Sequence, residues 1–208
     1  MLRTRSLSFA YDAQQEFRFP DMQLDAGEKL LILGDSGIGK TTLLHLIAGL
    51  LRPRSGSVEL QGTVLQDLSV QELDRFRGRH IGLVFQRPHF VQALSARENL
   101  ELVQYLAGRP RDRQRIEAVA ESLGIGNKLR ERPHTISQGE QQRVAIALAV
   151  INHPQLILAD EPTASLDDKN CEKVAALLED QAAATGAQLI IITHDQRLKE
   201  RFTNTLTL

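Results

Sequence analysis

The chain has 208 residues, room for one sizeable domain with an inserted subdomain. Its 42% hydrophobic and 25% charged residues are ordinary for a globular protein, and a net charge of −1 sets up no global field toward nucleic acid or anionic lipid. Tryptophan is absent and aromatics make up 4%, which excludes an evident stacking platform for single-stranded nucleic acid.

The opening Met1-Leu2-Arg3-Thr4-Arg5 is basic but lacks the apolar core of a signal peptide, so the protein is expected to stay in the cytosol. Residues 2–9 and 17–24 alternate apolar and polar side chains, as strands with one covered face do. Pro20 in the second run suits an edge strand or a bend. Lys29-Leu30-Leu31-Ile32-Leu33 is a short apolar strand, and residues 42–48 read as a helix. Between them, Gly34-Asp35-Ser36-Gly37-Ile38-Gly39-Lys40-Thr41 fits G-x-x-x-x-G-K-[ST]. Glycines let the backbone curl so that N–H groups turn inward, and the helix N-terminus adds partial positive charge. Lys40 can reach terminal phosphates and the Thr41 hydroxyl can ligate Mg²⁺. This is a nucleotide phosphate site.

Pro53 and Gly56 break the chain before two short strands near Val58-Leu60 and Val64. Ser69-Val70-Gln71-Glu72 has the form of a capping box and starts a short helix. Ile81-Gly82-Leu83-Val84-Phe85 is a buried strand ending at Gln86. From Ser95 to about Ile151 the pattern is helical. Ser95-Ala96-Arg97-Glu98 is a second capping box, and Gly108-Arg109-Pro110 ends the helix it opens. Ile116, Val119, Ala120 and Leu123 mark a second helix, which Gly124 stops. Residues 138–151 make a third. The apolar run 144–151 is among the longest in the chain, far short of the ~20 residues that cross a bilayer.

Residues 155–159 return to strand and end in Asp160-Glu161. Strand ends at the carboxyl side of a parallel sheet are where ligands bind. Asp160 can hold Mg²⁺ and Glu161 can polarise an attacking water, although two acids at a strand end can also be a solvated turn. A helix from Asp167 to about Ala184 carries the single Cys171, which excludes an intrachain disulfide and suits a reducing compartment. Its polar neighbours predict a surface or half-buried thiol. Residues 188–192 form the last strong strand, leading to His194. The alternation of apolar strands and helices implies a parallel sheet covered on both faces, an α/β fold.

The order of these elements resembles the nucleotide-binding subunit of ATP-binding-cassette (ABC) transporters. The resemblance runs from Tyr11 to His194. It rests most on Ile136-Ser137-Gln138-Gly139-Glu140-Gln141-Gln142-Arg143, similar to the family's signature loop. Around it stand the phosphate loop, Gln86, Asp160-Glu161-Pro162, Ser165-Leu166-Asp167 and His194. Residues 85–90 and 139–147 look most like the group serving lipoprotein-release and macrolide-export systems. Read by itself, Ser137 with Glu140 is simply a capped helix.

The resemblance implies a P-loop NTPase (RecA-like) core with an N-terminal antiparallel β subdomain and an inserted helical subdomain. Residues 1–94 and 152–208 would form the first two and residues 95–151 the third. It implies ATP and Mg²⁺ as ligands. Tyr11 would stack on adenine. Gly34, Ser36, Gly37, Gly39, Lys40, Thr41 and Thr42 would hold phosphates. Thr41, Gln86 and Asp160 would serve the metal, and Glu161, His194 and Gln86 would serve hydrolysis. Ser137 and Gly139 would contact the γ-phosphate held by a second copy or a paralogous cassette, with Asp167 coupling the two sites. Integral membrane transporter subunits, two per complex, would be the partners, with the cassette peripheral on the cytoplasmic face and no nucleic acid bound. Residues 87–98 would pass motion to those subunits.

Three positions depart from the family pattern, the mildest being Ile136 in place of leucine. Gln138 replaces the signature's second glycine and requires ordinary φ there. Leu148 stands where relatives often carry arginine. Rival readings are a cell-division regulator built on the same core, a chromosome-structuring ATPase, and a two-cassette translation factor. The absence of sustained heptads argues against the second, and the single phosphate loop against the third.

Overall fold

The computed structural model describes residues 1–11, 15–164 and 167–208, with Lys169 described by its backbone alone. Ser165 and Leu166, the first two residues of the loop expected before Asp167, lie outside the described residues.

The N-terminal part is antiparallel. β1 (Leu2–Ala10) pairs with β2 (Glu16–Arg18), β3 (Met22–Leu24) and β5 (Ser55–Leu60), and β6 (Thr63–Val64) extends β5. Pro20 falls between β2 and β3, so the run 17–24 is two short strands with a bend, as its missing N–H requires.

The second sheet is wholly parallel. It joins β4 (Lys29–Leu33), β7 (Ile81–Val84), β8 (Leu156–Asp160), β9 (Gln188–Thr193) and β10 (Thr205–Thr207) in the order β10-β4-β9-β8-β7. Alternate residues of one strand serve opposite faces. Leu31, Ile157, Ala159, Leu189 and Ile191 enter one apolar cluster, while Leu30, Ile32, Leu156, Leu158, Ile190 and Ile192 enter another. That two-sided burial explains why these strands are continuous apolar runs. Each such leucine or isoleucine taken from water contributes about 1.5–3 kcal/mol.

α1 (Lys40–Ile47) covers one face with the antiparallel sheet. α3 (Ala96–Leu106), α4 (Arg113–Ser122), α5 (Gln138–Val150) and α6 (Asp168–Thr185) contribute to the other cluster. α2 (Val70–His80) leads into β7. α2, α3 and α5 each open on a complete Ser-x-x-Glu capping box, in which the glutamate accepts from the cap N–H and the serine oxygen from the glutamate N–H. Gly82 sets how closely α5 crosses β7: a Cβ there would stand 2.2 Å from the Ala149 carbonyl oxygen. Cys171 is fully buried, 1% exposed, which corrects the half-exposed thiol expected from its neighbours; α6 turns that residue onto the core.

Candidate functional site

Because β4, β7, β8 and β9 are parallel, their carboxyl ends open on one edge. Gly34 to Gly39 follow β4, Gln86 follows β7, Asp160 ends β8 with Glu161 after it, and His194 follows β9. Between these strand ends lies a cavity of about 790 Å³. Tyr11, Ser36, Gly37, Gly39, Lys40, Thr41, Thr42, Gln86, Glu161 and His194 all line it. Gln15, Phe17 and Asp35 line it too.

The loop curls as its glycines allow, with φ 84° at Gly37 and 104° at Gly39. Gly39 also needs to be small, since a Cβ would lie 2.7 Å from Cδ1 of Phe17. α1 then starts with no side-chain cap and no acid in its first turn, unlike the boxed helices. Its first N–H groups are left to a ligand acceptor, and the helix dipole favours an anion there. Lys40 is 7% exposed and folds back over the loop, Nζ donating to the carbonyls of Gly34 (2.7 Å) and Asp35 (2.8 Å). The same ammonium lies 3.9 Å from Glu161 Oε1. A buried cation over a curled backbone fits a polyphosphate.

Beneath the loop, the Thr41 hydroxyl donates to Asp160 Oδ2 at 3.0 Å. Asp160 is 7% exposed, and burial pushes its carboxyl above the ordinary range, only partly offset by the Thr41 hydrogen bond. A hydroxyl and a buried carboxylate side by side are hard oxygen donors of the kind Mg²⁺ takes.

Glu161 leaves the strand in a left-handed conformation, φ 46°. This turns its carboxylate back toward β9, where it accepts from Thr193 Oγ1 (2.8 Å) and the His194 N–H (3.2 Å). His194 Nδ1 stands 2.9 Å from Oε1. Tyr11 is 61% exposed. Its hydroxyl is 3.1 Å from Thr42 Oγ1 and its ring meets Phe9 and Phe17 edge-on. The ring is thus largely exposed at the mouth of the cavity.

Five predicted residues do not line this cavity: Gly34 and Asp160 lie just behind the loop, hydrogen-bonded to Lys40 and Thr41, while Ser137, Gly139 and Asp167 belong to other helix starts. Ser137 caps α5, where its hydroxyl donates to Glu140 Oε2 at 2.8 Å. The Ser137 N–H and hydroxyl and Lys128 hold the Glu140 carboxyl down at about 2. Gly139 sits in the open first turn, its nearest would-be neighbour Arg143 Nη1 at 3.8 Å. Gln138 keeps ordinary helical φ, as its side chain demands. Asp167 caps α6 by accepting from the Asn170 N–H at 2.9 Å.

A second concavity, about 470 Å³, lies between α2, β7, α3 and α5. Leu83, Phe85, Val103, Leu106, Ala145 and Leu148 give it an apolar floor. Leu148 also packs on the core, so the position has become part of an apolar surface. Phe85 stacks on His89, centroids 4.8 Å apart. The segment around Gln86 therefore borders both concavities: Gln86 faces the first, Phe85, Pro88 and His89 the second.

Comparison with known proteins gives the family. The family model described as ABC transporter matches residues 18–164. The chain belongs to the ABC transporter family. It is 39% identical over 190 residues to the lipoprotein-releasing system ATP-binding protein LolD of Shewanella sp. (strain MR-7), covering 90% of this chain and 82% of that one. It is 36% identical to the LolD protein of Bacteroides thetaiotaomicron over 95% of this chain and 92% of the relative. Among solved structures, the bacterial ABC transporter cassette MJ0796 superposes with a TM-score of 0.89 at 31% identity, covering all of this chain and 94% of that one. That cassette is dimeric, and its dimer has also been solved in a post-hydrolysis state bound to ADP and Pi. The chain is accordingly an ATP-binding, ATP-hydrolysing cassette of a transporter, and it resembles the lipoprotein-release group in particular. None of the described helices is long and apolar enough to cross a membrane.

Proposed function

We propose that this cassette closes as a head-to-tail dimer on two ATP molecules and drives membrane subunits of a lipoprotein-release type of system from the cytoplasmic face. The observation that carries the reading is the division of the site. The phosphate loop, Asp160, Glu161 and His194 converge, while the Ser137 end of α5 stands outside their cavity. A helix N-terminus with an exposed glycine in its first turn suits an anion presented from elsewhere. Residues 95–151, which carry it, act as the inserted helical unit.

In one protomer, the loop N–H groups and Lys40 bind the phosphates and Tyr11 packs on the base. Thr41 and Asp160, with Gln86 nearby, would hold Mg²⁺, which would supply neutralising charge to the phosphates. Glu161 is aimed by Thr193 and His194 and polarises the water for in-line attack. His194 also steadies the terminal phosphate. Ser137 and Gly139 of the second protomer complete the pocket, so closure is favoured only by as much as ATP binds the closed state better. Asp167 lies on the path between the two sites.

The apolar groove beside Phe85 and Leu148 would receive the membrane subunits, since Gln86 and His89 lie a few residues apart on one segment. The relatives' names support a lipid-anchored cargo. The test is recovery from native membranes. The parent chain should come away with integral membrane proteins. Leu148→Asp should lose them while the isolated cassette still hydrolyses ATP. A parent chain that fractionates free of membranes would sink the reading.

A further inference from the structure

Arg197 has no place in the scheme above, yet it ties together three parts of the site. It sits in the 3-10 turn Gln196–Arg201 that follows His194. Its fork grips Asp195, Nε to Oδ1 at 2.8 Å and Nη2 to Oδ2 at 2.7 Å. Its remaining nitrogen, Nη1, reaches Asp168 Oδ1 at 2.6 Å, in the first turn of α6. Planar two-pronged contact of this kind fixes orientation as well as charge.

Asp195 is the hub. Its carboxylate is 11% exposed and accepts also from Thr163 Oγ1 (3.2 Å) and the Cys171 thiol (3.5 Å). Thr163 lies two residues beyond Glu161, Asp195 lies next to His194, and Asp168 lies next to Asp167. The Asp195 N–H donates to Thr193 Oγ1, the same hydroxyl that donates to Glu161. The loop carrying Glu161, the loop carrying His194 and the start of α6 are therefore held in one network, and Arg197 joins it to Asp168. The Arg197 hydrogen bonds also hold the Asp195 carboxyl down at about 2, so the hub stays ionised throughout the physiological range.

We propose that Arg197 is a positioning residue that locks the Glu161 and His194 loops to the start of α6, so that turnover and communication between the paired sites depend on its fork. It does not line the phosphate cavity. It acts through Asp195 and Asp168, and it rests on the dimer reading given above.

The experiment uses the full chain with MgATP. Arg197→Ala should lower kcat about tenfold, as small misplacements remote from the chemistry do. KM and the affinity for a fluorescent ATP analogue should stay within about twofold, because the phosphate loop is untouched. The Hill coefficient for ATP should fall toward one. Arg197→Lys keeps the charge without the fork and should recover only part of kcat. Asp168→Asn, at a side chain 87% exposed and so harmless to folding, should lower the Hill coefficient and add little to Arg197→Ala when combined. Parental kcat and Hill coefficient in Arg197→Ala would overturn the proposal, as would nucleotide affinity falling in step with kcat. If Arg197→Ala does not fold, a parental Hill coefficient in Asp168→Asn overturns it. A parent that shows no cooperativity and no ATP-dependent dimer sinks the dimer reading instead, a result distinct from either of these.

Discussion

Glu161 Oε1 lies 2.9 Å from His194 Nδ1, and the glutamate reaches it only because its own backbone is left-handed, φ 46°. A non-glycine residue in that region costs of order 1–3 kcal/mol and persists where the surroundings over-determine it. Here they do: the Glu161 N–H donates to the Ile192 carbonyl, and its carboxylate takes Thr193 and His194. The strain aims one carboxylate into the cavity while Asp160, one residue earlier, stays beneath the loop with Thr41.

Replacing Glu161 by Gln keeps the size and an acceptor oxygen but removes the base. Hydrolysis should drop by about a hundredfold or more, the usual worth of a positioned general base. Nucleotide binding should survive, and the variant should run as a dimer on gel filtration with MgATP. A variant that releases phosphate like the parent and stays monomeric would remove the role given to this side chain.

Asp160 yields a prediction with a definite sign. Burial raises its carboxyl above the ordinary 3.8. A carboxyl raised in the folded state favours folding while protonated. That contribution is complete below 3.8 and is lost as pH rises through the higher folded value. At neutral pH the nucleotide-free fold therefore carries an unfavourable buried charge. Asp160→Asn retains an acceptor for Thr41 and should melt higher than the parent at pH 7, with the gap closing in acid. Its Mg²⁺-dependent turnover should fall about a hundredfold, as when a group aimed at the reacting phosphates is lost. Thermal melts without nucleotide at two pH values decide it; a gap that widens in acid contradicts the burial argument.

Much of this was legible in the chain because the strands of the parallel sheet are buried on both faces. β4 spans the apolar run 29–33, and β7, β8 and β9 fall within a residue of theirs. The serine boxes at Ser69, Ser95 and Ser137 mark three helix starts to the residue. What escaped reading lacks any local signal. β10 is three residues of alternating Thr and Leu that pair with β4 at the sheet's edge. Phe17 and Gln15 join the cavity because β2 folds across Gly39, a long-range placement. Thr193 looks like any strand residue until Glu161 turns back to meet it. Cys171 is buried by which face α6 presents, and its polar neighbours concealed that.

Ser137 tests the division of the site between two chains. Its hydroxyl already caps α5, so a loss of activity on simple truncation could come from the helix. Ser137→Arg is the sharper variant, since a long cation at this end of α5 would block the approach of a partner's loop. One protomer should still bind nucleotide with its parental affinity, whereas ATP-dependent pairing of the Glu161→Gln background should disappear. Pairing that persists in the double variant would deny α5 any part in a neighbour's pocket.

Gly82 seats the helix that carries the signature residues against β7. It lies in β7, upstream of Phe85 and Gln86, and α5 crosses it so closely that a methyl group would meet the Ala149 carbonyl at 2.2 Å. The far end of α5 is Ser137, so the contact sets the tilt of the helix that carries the signature residues. The atom in the way belongs to backbone inside a helix and cannot swing aside as a side-chain tip would. Gly82→Ala should therefore destabilise the fold by about 2–3 kcal/mol, the upper part of the overpacking range. Since β4 and α1 make no use of this contact, the surviving folded fraction should bind nucleotide normally but pair poorly. Urea unfolding gives the first number and gel filtration with MgATP the second. An alanine variant as stable as the parent would mean that α5 does not rest on β7 as closely as described.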